Sequence, residues 1–295
     1  MRLKDVPEAI RPFVFHGVDL SWSEGSDKTY GNCPFCNGDR KLEVSKSTGL
    51  WTCHRTKEKG NAIQFLRNLW ALSMKATNDY SSLKENRGLG DENTLIQWGV
   101  ARSITNGNWL VPGYNYQGNI CQLYSYVSFG GDKPRLMATS GFQHGLFGRP
   151  LYSQQCSRVF LCEGPWDAMA LWEALRSISK DKYGVRQTTN FAASFGSTSS
   201  ILALPGGAFK KTWLPLFSDR IVYLCFDNDH PKVNEVTGKM LPPAGFSHLM
   251  KVNMILSKAK RPPTEIYQLD WGEGGYTPHL GDGYDVRDIL NNPPE

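Results

Sequence analysis

Two short apolar runs of the sequence each end in acidic residues. Residues 158–162 are followed directly by Glu163, and residues 221–226 are followed by Asp227 and Asp229. Clustered carboxylates repel one another at neutral pH unless a hard cation binds them, and oxygen ligands favour Mg²⁺ or Mn²⁺ over zinc. If both runs are strands of one parallel sheet, the acids lie beyond its carboxyl edge, where such sheets bind ligands. The sequence therefore predicts a Mg²⁺ or Mn²⁺ site at Glu163, Asp227 and Asp229.

Three further acidic residues are candidates for supporting this site. Asp167 lies four residues after Glu163, and Asp285 and Asp288 belong to a third acidic cluster that opens a short apolar run. Each also has an ordinary structural explanation, because acidic side chains favour the cap and the first turn of a helix. The sequence leaves both explanations open.

A second group of residues has the spacing of metal-binding cysteines. Two residues separate Cys33 from Cys36, and Cys53 follows with His54 beside it. Two thiolates at the first spacing can bind one Zn²⁺, and a β-hairpin can return further ligands to the same ion. The alternative is three buried thiols that pack as small apolar groups. We expect zinc at Cys33, Cys36 and Cys53, with His54 as the nearest candidate for a fourth ligand.

Composition limits the class of protein. Lys and Arg outnumber Asp and Glu by 33 to 28, and the net charge of +5 is compatible with a polyanionic partner without requiring one. Seven cysteines occur without a secretory signal, and no apolar run approaches the ~20 residues that a membrane span needs. We therefore expect a protein of a reducing compartment that is neither secreted nor embedded in a membrane.

The elements that must position the acids alternate between strand and helix from residue 151 onward. Continuous apolar strands that alternate with helices indicate an α/β fold, with a mostly parallel sheet covered by helices on both faces. The expected strands are 158–162, 201–204, 221–226 and 265–269, and the expected helices run from 165 to about 179 and from about 244 to 259.

The residues before this sheet have different patterns. Short β-like runs predict a small antiparallel sheet within residues 91–150, with Lys133, Arg135 and Arg149 in the loops that follow it. Before that, apolar residues at helical spacing from Ile63 to Trp70 predict a helix packed on a β ribbon. The predicted domains are a zinc-ribbon-like β domain at 1–75, a linker at 76–90, a small mixed α+β basic subdomain at 91–150, and the parallel-sheet domain at 151–295.

The acidic motifs carry a resemblance to a known family. Glu163 with Asp167, the Asp227-x-Asp229 pair and Asp285 resemble the Toprim domain shared by bacterial-type primases, type IA and II topoisomerases and some nucleases.

The cysteine motif carries a second resemblance. Cys33-x-x-Cys36, Cys53 and the helix that begins near Gly60 resemble the zinc-binding domain of bacterial replicative primases and of the primase half of phage primase-helicases. The two motifs together span most of residues 30–290. Zinc ribbon, linker, small basic subdomain and Toprim follow one another in the primase order, which makes the resemblance specific.

The resemblance implies a DNA primase that synthesises short RNA primers on single-stranded DNA from nucleoside triphosphates. It implies Mg²⁺ or Mn²⁺ and Zn²⁺ as cofactors, a replicative helicase acting in cis or in trans, and the cytoplasm of a bacterial or phage-infected cell, or another reducing compartment that contains DNA. By position, the resemblance implies that Glu163 places the metal or transfers a proton. It implies that the metal ligands are Asp227, Asp229 and Asp285, and that the contacts to nucleotide or template are Lys133, Arg135 and Arg149.

The sequence departs from the family pattern in two places. Thr56 occupies the position of the fourth zinc ligand, so zinc is held by His54, by three protein ligands, or not at all. Residues 230–243 form an insertion between Asp229 and the next helix.

Two other functions use the same residues. Toprim carboxylates also support metal-dependent hydrolysis, which would make the chain a nuclease. A catalytically silent module that binds single-stranded DNA on a primase scaffold is the other. No Gly-x-x-x-x-Gly-Lys-Ser/Thr phosphate loop occurs in the sequence, so we expect a stand-alone primase or the primase portion of a primase-helicase.

Overall fold

The structure is a computed structural model, and its chain divides into two compact units. The first unit comprises Met1–Tyr80, Gly99–Asn115 and Asn119–Gly145, and the second comprises Ser81–Trp98, Tyr116–Gly118 and Leu146–Glu295. Residues 91–150, predicted as one subdomain, contribute to both units. The described residues are 3–21, 25–127, 135–176, 178–180, 186–188, 198–272 and 274–291.

An antiparallel ribbon forms the N-terminal part of the first unit, as predicted. Its five strands lie side by side in chain order, and β2 and β3 form the long hairpin that carries the first two cysteines at its turn. The strands are β1 (Leu20–Ser21), β2 (Lys28–Cys33), β3 (Gly38–Ser45), β4 (Trp51–Cys53) and β5 (Lys59–Gly60), and the short helix α1 (Arg11–Phe15) precedes them.

The predicted helix after the ribbon is confirmed as α2 (Ala62–Ala76). Asn61 caps its first turn, because the Asn61 side chain accepts a hydrogen bond of 3.1 Å from the Gln64 N–H. Phe65, Leu66 and Leu69 are fully buried, and they pack in one apolar core with the ribbon residues. The apolar residues whose spacing predicted the helix therefore include those that α2 contributes to this core.

The predicted small antiparallel sheet is also confirmed. It has four strands in chain order and lies in the first unit, where α2 packs against β6 and β8. The strands are β6 (Ala101–Arg102), β7 (Trp109–Tyr114), β8 (Ile120–Val127) and β9 (Arg135–Ala138).

Two short helices begin the second unit. Helix α3 (Ser81–Asn86) lies within the stretch predicted as a linker, and its Leu83 is buried. Helix α4 (Glu92–Gln97) begins after Asp91, whose side chain accepts a hydrogen bond of 2.9 Å from the Asn93 N–H.

A four-stranded parallel sheet forms the centre of the second unit, as predicted. The strand order is β13-β10-β14-β17, so β10 and β14, the strands before the acids, are neighbours at the centre. The strands are β10 (Arg158–Cys162), β13 (Ser199–Ala203), β14 (Ile221–Cys225) and β17 (Glu265–Gln268), and the helices are α5 (Pro165–Arg176), α6 (Ala244–Ser257) and α7 (Val286–Asn291). Two small hairpins complete the unit, β11 (Ile178–Lys180) with β12 (Arg186–Thr188) and β15 (Lys232–Val233) with β16 (Met240–Leu241).

Helices cover both faces of this sheet. Val159 and Leu161 of β10 share a buried core with Leu249 and Val252 of α6. The intervening Phe160 points to the other face, where its ring stacks on Tyr223 with centroids 4.6 Å apart. Helix α5 contacts β10 and β13. None of its described residues belongs to the buried core that β10 shares with α6, so α5 covers the second face.

The predicted end of α5 is wrong by three residues. The helix ends at Arg176 instead of about Ser179, and Ile178–Lys180 forms strand β11. Ile and Ser are weaker helix formers than the Leu and Ala residues that precede them, which is consistent with the earlier end. No helix in the described part of the chain has both the length and the apolar character to cross a membrane.

Candidate metal centres

The three cysteines that were predicted to bind zinc lie together. Cys33 ends β2, Cys53 ends β4, and Cys36 lies in the turn between β2 and β3. All three sulfur atoms lie within 4.8 Å of one another, and Cys36 Sγ is 3.5 Å from Cys53 Sγ. Because one tetrahedral zinc ion holds thiolates at similar separations, this cluster could bind zinc.

Backbone N–H groups surround the cluster and favour the thiolate form of one cysteine. The Thr56 N–H lies 3.4 Å from Cys53 Sγ. Burial acts to raise the pKa of Cys53, but hydrogen bonds from Thr56 and Arg55 outweigh it and lower the pKa to about 6. Burial raises the pKa of Cys33 to about 12. One ligand is thus prepared as a thiolate, and a buried neutral neighbour would lose its proton on binding a cation.

His54, the predicted candidate for a fourth ligand, lies apart from the thiols. Its Nε2 atom is 3.0 Å from Glu43 Oε2, and its ring stacks beside Tyr30. Among the described histidine, cysteine and acidic residues, the group within 4.8 Å contains the three thiols alone.

The predicted carboxylates gather beyond the carboxyl edge of the parallel sheet. Glu163 follows β10 directly, and its N–H donates to the Cys225 carbonyl at the end of β14. Burial, then the negative charges of Asp167 and Glu163, and then those of Asp285 and Asp229, raise the pKa of Asp227 to about 9. The acids predicted from three separate stretches are therefore close enough to affect one another.

Asp229 caps the helix that follows it in sequence. Its Oδ2 atom accepts a hydrogen bond of 2.7 Å from the Gly245 N–H in the first turn of α6. A Cβ atom at Gly245 would lie 2.3 Å from the Asp227 carbonyl oxygen, so only glycine allows this close approach. The contact therefore brings together the two ends of residues 230–243.

The insertion itself is a short hairpin anchored next to Asp229. The His230 N–H donates to Asp282 Oδ1 over 2.8 Å, and Lys232 Nζ lies 3.2 Å from Asp282 Oδ2. Beyond this anchor the hairpin presents exposed apolar side chains, among them Val236 and Met240.

Asn228, between the two aspartates, connects the end of β14 to the loop that carries Asp285. Its buried side chain donates hydrogen bonds to the carbonyls of Thr277 and Gly281. Its Oδ1 atom accepts a hydrogen bond of 2.7 Å from the Thr277 N–H. Its backbone pairs with Tyr284 in an isolated antiparallel bridge. This role of Asn228 was not predicted, since a buried asparagine that links two segments has no local sequence pattern.

Asp285 has the capping role that the sequence left open, and its role in a metal site stays a prediction. It caps α7, because its Oδ1 accepts from the Asp288 N–H at 3.0 Å while Asp288 Oδ2 accepts from the Asp285 N–H at 3.1 Å. Its Oδ2 is also 2.5 Å from Arg287 Nη2, which in turn lies 3.7 Å from Asp167 Oδ1. Burial and then the Asp285 charge raise the pKa of Asp167 well above its usual range, while Arg287 opposes them.

The carboxylates are less tightly assembled than the thiols. Among the described residues, no three of these acids each place an oxygen atom within 4.8 Å of the other two. The donor set nonetheless suits a hard cation, because Glu163 Oε2 is buried without a hydrogen-bond partner and Asp227 is crowded by like charges.

The predicted basic contacts have different surroundings. The prediction that Arg135 lies in a loop after the sheet is wrong, because Arg135 is the first residue of β9 and pairs with Val127 of β8, with its side chain exposed. The Nε–H group of Arg149 donates a hydrogen bond of 2.8 Å to the Tyr116 carbonyl. Its guanidinium group lies over the rings of Tyr116 and Tyr152, so Arg149 has structural partners within the second unit. Lys133 lies outside the described residues.

Similar solved structures are bacterial and phage DNA primases. The zinc-binding and RNA polymerase domains of Aquifex aeolicus primase are 14% identical, with a TM-score of 0.45, and the match covers 98% of this chain and 81% of that chain. The primase fragment of the bacteriophage T7 primase-helicase is 13% identical, with a TM-score of 0.42 and coverage of 93% and 96%. A DNA primase domain from Pseudomonas aeruginosa is 14% identical, with a TM-score of 0.48 and coverage of 78% and 74%. No protein-family model and no curated protein matches the sequence.

Proposed function

We propose that this chain is a DNA primase that joins ribonucleotides into short RNA primers on single-stranded DNA. One observation carries the proposal: Glu163, Asp167, Asp229 and Asp285 converge on Asp227 beyond the carboxyl edge of a parallel sheet, where burial and then their charges raise the pKa of Asp227. A buried carboxylate oxygen without a hydrogen-bond partner, such as Glu163 Oε2, destabilises a fold unless a ligand binds it.

In this reaction the 3′-hydroxyl oxygen of the primer bonds to the α-phosphorus of a nucleoside triphosphate. The bond to pyrophosphate breaks, and the hydroxyl proton passes to a base. Mg²⁺ or Mn²⁺ would stabilise the charge on the attacking and leaving oxygens. We assign Asp227, Asp229 and Asp285 to holding the cation, and Glu163 to cation placement or proton transfer.

The thiol cluster and the basic residues complete the proposal. We assign Cys33, Cys36 and Cys53 to a zinc site that stabilises a template-recognition ribbon. Lys133, Arg135 and Arg149 are the proposed contacts to nucleotide or template, since cationic side chains bind phosphates. A replicative helicase, in cis or in trans, is the proposed protein partner.

The test is primer synthesis with single-stranded DNA, labelled ribonucleotides and Mg²⁺ or Mn²⁺. We expect short RNA ladders from the wild type, none from Asp227→Ala/Asp229→Ala, and normal ladders from Glu265→Gln. Glu265 is a matched control, because it is an exposed acid at the amino end of β17 in the same sheet. Cleavage of the DNA without nucleotides would instead identify a nuclease, and DNA binding with neither product would identify a silent module.

A further inference from the structure

A histidine that no sequence motif marks contacts Glu163. His248 lies on α6, and its Nδ1 atom is 2.7 Å from Glu163 Oε1. The hydrogen bond joins the end of β10 to a helix 85 residues later in the chain. It therefore fixes the Glu163 carboxyl group relative to both β10 and α6.

Gly207 leaves the space that the His248 ring occupies. Gly207 follows β13 with a φ of +74°, a conformation that glycine adopts readily. A Cβ atom there would lie 2.3 Å from His248 Nδ1, so any other residue would displace the ring. The turn after β13 thus holds the imidazole against Glu163.

The burial of Glu163 distinguishes this pair from an ordinary surface ion pair. The Glu163 side chain is 13% exposed, and its second oxygen, Oε2, is buried with no hydrogen-bond partner among the described residues. Surface pairs contribute little to stability, and an unpartnered buried oxygen is unfavourable. An arrangement that fixes one oxygen and keeps the other without a partner suits a group that acts on a ligand.

We propose that His248 is a positioning residue, which donates from Nδ1–H to Glu163 Oε1 and leaves Oε2 as the oxygen that serves the reaction. The inference rests on the proposed primase function, because it concerns the same carboxylate. His248 does not touch the reacting atoms in this proposal. Its effect is on the orientation of Glu163.

The experiment compares His248→Leu, His248→Asn and His248→Gln in primer synthesis, with His279→Leu as the control at an exposed histidine of the same unit. We expect His248→Leu to lower kcat about 10-fold to 100-fold, the usual cost of losing a partner of a ligating group, with little change in the KM for nucleotides. His248→Asn should restore most of kcat, since its amide nitrogen reaches the place of Nδ1. The longer His248→Gln side chain should not.

Two results would overturn the inference: an unchanged kcat in His248→Leu, or a loss in His248→Asn as large as in His248→Leu. A second measurement does not depend on activity. In ¹⁵N-labelled wild-type protein the Nδ1 proton of His248 should be protected from exchange, and Glu163→Ala should abolish that protection. Protection that survives Glu163→Ala refutes the hydrogen bond even if primers are made. If the wild type makes no primers but its Nδ1 protection is lost in Glu163→Ala, the contact is supported and only the primase function is refuted.

Discussion

The thiol cluster and the carboxylate cluster are assembled in opposite ways. Cys33, Cys36 and Cys53 lie within one ribbon, and their sulfur atoms are already within 4.8 Å of one another. The carboxylates from Glu163 to Asp285 come from distant segments, and each of Glu163, Asp229 and Asp285 is held by a separate partner. One thiolate among neutral thiols meets no like charge, whereas several carboxylates repel one another until a cation or a proton intervenes. The comparison indicates that the thiols serve stability and the carboxylates sacrifice stability for a function.

The largest effect is expected at Asp227. Asp227→Asn should lower primer synthesis about 10²–10³-fold, the loss typical of removing one group that stabilises developing charge. In a chelator at pH 7 the same variant should be more stable, because burial and then the neighbouring charges raise the pKa of Asp227 to about 9, and the amide folds without the proton that the carboxyl group must take up. We expect Tm to rise by about 2–4 °C, which corresponds to ~1 kcal/mol in a unit of this size.

Calorimetry with and without Mg²⁺ checks this prediction. Mg²⁺ should raise the Tm of the wild type more than that of the variant, because a ligand that binds the native state stabilises it. A variant that is less stable than the wild type in chelator would mean that Asp227 supports the fold, and the contrast between the clusters would fail.

The thiol cluster should respond in the opposite direction. Cys33→Ser should reduce bound zinc from about one ion per chain and lower the Tm of the first unit, because structural zinc contributes directly to folding. His54→Ala is the matched control, and it should keep its zinc because His54 pairs with Glu43. Metal analysis of the purified proteins decides the matter. Unchanged zinc in Cys33→Ser would refute the ligand assignment, and zinc loss in His54→Ala would restore His54 as a ligand.

The connection made by Asn228 should have a smaller effect. Asn228→Ala removes the side-chain hydrogen bonds to Thr277 and Gly281. Thr277 is half-buried and Gly281 is exposed, so water can replace the lost partner and each hydrogen bond should cost about 0.5–1.5 kcal/mol. The loop that carries Asp285 should loosen, so the Thr277 and Gly283 amides should exchange faster while those of β10 stay protected. Exchange that is uniform across the second unit would show a general loss of stability instead.

The same contrast explains what could be predicted from the sequence. Cys33, Cys36 and Cys53 were predicted from spacing because a ribbon brings nearby residues together, and the strands before Glu163 and Asp227 were predicted because buried parallel strands are continuous apolar runs. His248 and Asn228 were missed because their side-chain partners lie 85 residues and at least 49 residues away, and Arg287 was missed because its pairing with Asp167 spans 120 residues. Such contacts are set by packing and have no local pattern.

His16 gives the smallest predicted effect, and it concerns the acid sensitivity of the first unit. Burial lowers the pKa of His16 to about 3. The Thr139 hydroxyl donates to the Leu123 carbonyl, so it accepts from His16 Nε2–H at 2.7 Å, and the ring is held neutral.

Since the folded pKa lies below the unfolded value of about 6.5, the stability from neutral His16 is present above pH 6.5 and declines as the pH falls toward 3. Between pH 7.5 and 5.5 the first unit should lose about 1.4 kcal/mol from this residue, the value of one pKa unit. His16→Gln keeps a donor for Thr139 and does not titrate, so its urea midpoint should change less over this range. Equal slopes for wild type and variant would show that His16 is not the source of acid sensitivity. In chelator the second unit should respond less than the first, because protons relieve the repulsion among its carboxylates.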